Sequence, residues 1–98
     1  MPAYLMARIE VQDEAGFAAY REQVMPVLAS HGGRYLARGG AMEVKEGPAP
    51  PGRLVVVEFP DMAMARAFYD SADYAPVLQL RLDSTASEVV LVDGVTPG

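Results

Sequence analysis

The chain has no cysteine, no tryptophan and a single histidine among its 98 residues. Without cysteine there are no disulfides, no thiolate metal ligands and no cysteine nucleophiles, a composition that suits a reducing compartment. One histidine excludes a His-rich zinc constellation within one chain, and it gives haem ligation thin support. Positive charge is also scarce: eight Lys and Arg residues stand against 13 Asp and Glu, a formal net charge of −5. No Lys/Arg run offsets that balance locally, so nucleic acid is not an expected partner. No apolar run approaches the roughly 20 residues that cross a bilayer. No basic segment followed by an apolar stretch marks a secretory signal. The glycine pairs lack the spacing of a dinucleotide fingerprint or a phosphate loop. The expectation is a soluble cytoplasmic protein with no membrane, nucleic-acid or cofactor partner.

What is present is enough for one folded domain over residues 1–98. Hydrophobic residues make up 51% of the chain, and at this length a partner subunit would help complete the buried surface. Residues 3–11 alternate as a strand, with Leu5, Ala7, Ile9 and Val11 on a helix-packing face and Tyr4, Met6, Arg8 and Glu10 on the other. Asp13 is placed to cap a following helix. In that helix Phe17, Tyr20, Val24, Val27 and Leu28 form one apolar stripe. Pro26 should kink its last turn, and Gly32 is a natural left-handed stop.

Residues 33–44 read as a long strand. Arg34, Leu36 and Arg38 point away from the helices, Tyr35 and Ala37 point the other way, and Gly39-Gly40 marks a bulge or close approach. The Pro-rich segment 46–52 is a loop. Residues 53–59 give the strongest strand, with the apolar run Leu54-Val55-Val56-Val57 expected to be covered on both faces. Asp61 caps a second helix carrying Met64, Ala65, Phe68 and Tyr69. Asp73 caps a short further helix over 74–82, with Pro76 in its first turn. The last strand spans 88–92, and Asp93-Gly94 turns the chain out of it. The order β-α-β-β-α-β is that of a ferredoxin-like α+β sandwich, a four-stranded antiparallel sheet with helices on one face. The uncovered face of such a sheet would expose apolar side chains in a monomer. Two sheets packed face to face, a homodimeric α+β barrel, would cover it.

The segments His31-Gly32-Gly33-Arg34-Tyr35, Arg38-Gly39-Gly40, Glu46-Gly47, Val55-Val56-Val57-Glu58-Phe59-Pro60, Ser71-x-x-Tyr74 and Arg81 together resemble the bacterial family known as domain of unknown function 1330. Asp13, Tyr20 and Asp93-Gly94 extend the resemblance over nearly the whole chain. It implies the dimeric α+β barrel group, whose members include lactone isomerases, small monooxygenases and stress-responsive proteins. It implies no particular reaction, since fold is a weak guide to function.

Five residues are candidates for a site, each with two readings. His31 has the pKa range of a general acid or base, or it caps the end of the first helix. Arg38 is an anion clamp, or it pairs with Glu10, Glu46 or Glu58 to hold the sheet or dimer. Ser71, Tyr74 and Arg81 orient and neutralise a ligand, or they are a helix break capped by Asp73, a core ring and a bridge to an acid. The methionines are gap-filling core residues rather than a cofactor box. The functional expectation is a small-molecule-binding protein, a cofactor-free isomerase or oxygenase acting on a small anionic or aromatic metabolite. In that reading His31 is catalytic, and Arg38, Ser71, Tyr74 and Arg81 bind ligand. The alternative is a non-catalytic homodimer in which the same residues serve capping and the interface.

Overall fold

A computed structural model describes residues 1–95 of the chain. Its elements run β1 (Ala3–Val11), α1 (Glu14–Ser30), β2 (Arg34–Arg38), β3 (Arg53–Phe59), α2 (Met62–Asp70), α3 (Ala75–Ser84) and β4 (Thr85–Asp93). The four strands form one sheet in the order β2-β3-β1-β4, and every neighbouring pair is antiparallel. This is the ferredoxin-like arrangement that the element order predicts, with the second helix divided into α2 and α3.

The core lies between one sheet face and the helices. Ala3, Leu5 and Ala7 of β1 are buried there opposite Phe59, Val57 and Val55 of β3, and Ile9, opposite Arg53, is buried with them. Phe17, Val24 and Leu28 of α1, Ala65 and Phe68 of α2, and Val77 of α3 close over them. On the opposite sheet face Leu54 and Val56 are only half-buried, and Met6, Val90 and Val92 are exposed. The double burial expected for β3 is therefore absent within one chain, as it should be when helices cover one side.

The end of α1 explains the glycines that follow it. Gly32 takes φ +75°, and the Gly32 and Gly33 amides donate to the Ala29 and Leu28 carbonyls at 3.0 Å, a Schellman stop. Gly33 is required for a different reason: a Cβ there would lie 2.3 Å from Leu28 Cδ2 and 2.9 Å from Phe59 Cε1. The start of the same helix differs from expectation. Asp13 occupies the N-cap position, but its side chain makes no capping bond. Instead the Gln12 and Asp13 amides donate to the Ser84 carbonyl at 2.8 and 3.0 Å, tying α1 to the end of α3. The helix continues past Pro26 to Ser30, losing one backbone bond on an exposed side.

Three strand and cap expectations are corrected. β2 ends at Arg38 rather than at residue 44, because Gly39 turns left-handed at φ +69° and its amide donates to the Leu54 carbonyl. β4 begins at Thr85, directly out of α3, because Thr85 is buried and Ser87 half-buried on the inner face although neither is apolar. α3 is entered through Tyr74, and the side chain that accepts the Tyr74 amide is Ser71, at 3.1 Å, not Asp73.

Candidate functional site

The pairing of β2 with β3 decides where the arginines go. Arg34 faces Glu58 and Tyr35 faces Val57, but Ala37 faces Val56 and Arg38 faces Val55, with a register shift between Tyr35 and Ala37. Leu36 is thus an extra residue in the ladder, and beyond it the alternation is inverted. Arg34 stays on the outer face and forms an ion pair with Glu58 at 2.8 Å. Arg38 crosses to the inner face beside Tyr35, so its expected position away from the helices is overturned. Its guanidinium lies 4.8 Å from the Tyr35 ring centroid, and one of its amines donates to Met25 Sδ of α1 at 3.6 Å. Among the described residues no carboxylate is paired with it.

Arg38 stands at the mouth of a cavity of about 390 Å³ between the sheet and α1, a size ordinary for small-molecule sites. Five aromatic rings line it: Phe17 and Tyr20 from α1, Tyr35 from β2, Phe68 from α2, and Tyr74 at the start of α3. Four arginines line it as well (Arg21, Arg38, Arg53 and Arg81) against one carboxylate, Glu22. Arg21, Glu22, Met25 and Arg38 are exposed at the rim, whereas Phe68, Tyr74 and Arg81 are buried in the floor.

The rim arginines are held by rings. The guanidinium carbons of Arg53 and Arg21 lie 5.0 and 5.6 Å from the Phe17 centroid, as Arg38 lies over Tyr35. A guanidinium attracted to an aromatic face keeps its in-plane N–H donors available for a planar acid. In the floor the Tyr20 and Tyr74 hydroxyls meet at 2.9 Å. Burial, reinforced by the Tyr74 phenol, pushes the Tyr20 phenol far above its ordinary pKa. Burial also raises Tyr35, although Arg38 opposes that shift. Both rings are therefore neutral hydroxyl groups near neutral pH.

Three of the five residues singled out in the sequence line this cavity: Arg38, Tyr74 and Arg81. His31 does not. Its Nδ1 lies 2.9 Å from the Val27 carbonyl and 3.2 Å from Ser30 Oγ, and its ring packs edge-on against Phe68 at 6.0 Å. Ser71 does not line it either, since its hydroxyl donates to the Phe68 carbonyl at 2.9 Å and accepts the Tyr74 amide. Tyr20, Arg21, Arg53, Phe17 and Tyr35 line the cavity without having been singled out. Tyr20 carried a usable signal, a hydroxyl on the apolar stripe of α1. Arg53 carried none, as a strand-end arginine reads as solvated surface. Among the described residues no three His, Cys, Asp or Glu side chains cluster as metal ligands. No helix there is long and apolar enough to cross a membrane.

The family model described as "Domain of unknown function (DUF1330)" matches residues 2–95. The chain belongs to this family. No curated protein matches it in sequence. Among solved structures it resembles RPA0582, a protein of unknown function from Rhodopseudomonas palustris, with a TM-score of 0.76 at 16% identity, covering 98% of this chain and 84% of that one. It also resembles SnoaB, a cofactor-independent oxygenase from Streptomyces nogalater, with a TM-score of 0.69 at 13% identity over 98% and 95% of the two chains. A dimeric ferredoxin-like protein of unknown function from Jannaschia sp. CCS1 matches with a TM-score of 0.66 at 14% identity over 96% and 100%. At these identities the likeness establishes the ferredoxin-like α+β fold of this DUF1330 member and leaves its chemistry to be argued from its own residues.

Proposed function

We propose that the chain binds a small aromatic carboxylic acid in the cavity between the sheet and α1. The observation that carries this reading is the pairing of an aromatic lining with ring-held arginines that have no carboxylate partners among the described residues. An aromatic ligand would bury its ring against Phe17, Tyr35 and Phe68, while Arg38 grips the carboxylate at the mouth in a bidentate contact. Cofactor-free isomerisation or oxygenation is the reaction class in keeping with such a cavity, and SnoaB offers a precedent on the same fold. Tyr74 supplies the hydroxyl-bearing aromatic wall. His31 and Ser71 serve the ends of α1 and α2 in this reading, which is the role the alternative gave them.

The reading extends to a homodimer formed through the outer sheet face. Met6 is 38% and Val90 58% exposed there, next to half-buried Leu54 and Val56. The Arg8–Glu88 cross-strand pair sits on the same face. An apolar patch carrying both signs of charge lets opposite charges meet across a two-fold axis. The Jannaschia protein, described as dimeric, supports a second copy as the occupant.

Calorimetric titration of the purified protein tests the ligand assignment. Benzoate and ring-substituted benzoates are expected to bind, benzamide and acetate to bind at least about tenfold more weakly. Equal affinity for benzoate and benzamide would remove the arginines from the site, and equal affinity for benzoate and acetate would remove the rings.

A further inference from the structure

Arg81 carries a charge into the interior without a counter-charge. It is 3% exposed, in the last turn of α3. Its guanidinium donates to Ser87 Oγ of β4 and, at 3.3 Å, to the Tyr69 hydroxyl of α2. Its backbone is fixed too, since the Thr85 hydroxyl donates to the Arg81 carbonyl at 2.7 Å. Among the described residues the ion pairs are Arg34–Glu58 and Lys45–Glu43, so no carboxylate neutralises Arg81. Hydroxyls satisfy its donors in direction but supply no negative charge, and a buried cation without one is costly. A guanidinium does not escape that cost by losing its proton.

The neighbouring phenols complete the floor. Tyr74 is 2% exposed and shares a hydrogen bond with Tyr20. That bond uses one of the two hydroxyl protons, and the other finds no partner among the described residues. Arg81, Tyr20 and Tyr74 all line the cavity whose mouth Arg38 occupies. The slot thus has two positive poles of different character. At the rim, exposed guanidiniums offer paired in-plane donors, which suit a strongly hydrated carboxylate. In the floor, one buried cation and one hydroxyl proton suit a single oxygen whose charge is spread into a ring and costs less to desolvate.

We propose that Arg81 with the Tyr20–Tyr74 pair forms an oxyanion subsite for the phenolate oxygen of a planar hydroxy-aromatic acid held at its other end by Arg38. This rests on the assignment of the cavity to aromatic acids and adds which acids they are. On binding, the ligand O–H bond breaks heterolytically, its electron pair stays on oxygen, and the proton leaves to solvent. No oxidant or reductant is involved. The other ionisable groups facing the slot are Arg21 and Glu22 from α1, Tyr35 and Arg38 from β2, and Arg53 from β3, while Tyr69 from α2 faces Arg81 itself. Of these only Glu22, exposed at the rim, is an acid that ionises at mildly acidic pH.

The probe is 4-hydroxy-3-nitrobenzoate, whose phenolate is coloured, with benzoate and 4-hydroxybenzoate as comparators. Absorbance titration of the bound probe is expected to show its phenol pKa lowered by about one unit or more, a preference of about tenfold for the ionised form. 4-Hydroxybenzoate is expected to gain on benzoate as the pH rises. R81M should return the bound pKa to its free value, and Y20F should move it part of the way. R38M should weaken binding of all three acids and leave the bound pKa unchanged. The wild-type pKa needs no variant, so a misfolded R81M does not decide the matter. A bound probe with an unshifted pKa, or R81M equal to wild type, overturns the subsite and leaves the aromatic-acid site standing. Failure of benzoate and probe alike to bind overturns both.

Discussion

Tyr35 and Arg38 are three residues apart in β2 and yet share one face of the sheet, the guanidinium 4.8 Å from the ring centroid. In a regular strand that separation would put them on opposite faces. The Leu36 bulge supplies the missing half-period, so this one extra residue turns a charge that would face outward into the rim of the cavity. Arg38 is held there by an aromatic face and a thioether, leaving its remaining donors for a ligand.

Replacing Arg38 therefore separates binding from stability. R38M is expected to weaken benzoate binding by about 10- to 100-fold, the worth of a charge-assisted contact. R38K should recover only part of that loss, because an ammonium cannot form the planar fork. Melting temperatures of both variants should stay close to wild type, since Arg38 is exposed and unpaired with any carboxylate among the described residues. A large drop in melting temperature would make Arg38 a structural residue instead.

The glycines of the first turn and of the loop after β2 should behave oppositely. Gly33→Ala places a Cβ against Leu28 and Phe59 and is expected to cost about 1–3 kcal/mol in urea unfolding. Gly40→Ala meets nothing within 4 Å and should stay within about 0.5 kcal/mol of wild type. Equal effects would show that the close approach at Gly33 relaxes freely.

Alkaline pH should expose the buried phenols. Tyr20 and Tyr35 have folded pKa values above the ordinary 10.0. Below that value both states keep the proton and the stability is fully present. Above it the unfolded chain releases protons that the folded chain retains, so stability falls as pH rises. Urea midpoints measured from about pH 8 to 11 should decline above about pH 10, and Tyr20→Phe should flatten the decline. A Tyr20→Phe curve parallel to wild type would place the titration elsewhere.

The proposed dimer depends on exposed side chains that the monomer fold does not need. Light scattering at micromolar concentration should give twice the chain mass for wild type. V90D should give the chain mass with an unchanged far-ultraviolet spectrum, because Val90 is 58% exposed in the single chain. A monomeric wild type would remove the second copy from the outer face.

Much of this molecule is legible in its residues, and the failures share a cause. β1 and β3 match their apolar patterns end to end, because their inner positions are hydrophobic and their ends are marked by turns. β4 was legible only from residue 88 because Thr85 and Ser87 are polar residues on an inner face, one accepting from Arg81 and the other bonding its carbonyl. The Arg38 face escapes period-2 reasoning, which assumes an unbroken ladder, and Leu36 carries no mark of a bulge. The site was partly legible for the same reason. Arg38, Tyr74 and Arg81 stand out as polar groups in covered positions, whereas Arg21 and Arg53 depend on Phe17, a contact between elements distant in sequence.

Arg81 gives the sharpest division between a residue kept for folding and one kept for binding. Where a buried arginine is paired with a carboxylate, removing it leaves an uncompensated acid at a cost of about 3–5 kcal/mol. Arg81 has no such partner among the described residues, so R81M leaves behind neutral hydroxyls: Ser87, which still has Thr85 at 3.2 Å, Tyr69, which is half-buried, and Tyr74, which keeps its bond to Tyr20. The lost bonds to those hydroxyls, about 1.5–3 kcal/mol each because the donor is charged, are offset by relief of the several kcal/mol that an unpaired buried cation costs and by the packing of a methionine of similar length. R81M is therefore expected to match or exceed wild type in melting temperature while losing affinity for hydroxy-aromatic acids. Destabilisation by about 3 kcal/mol or more would show that the charge is compensated within the fold. Greater stability with weaker binding would show that the interior carries this cation for a ligand.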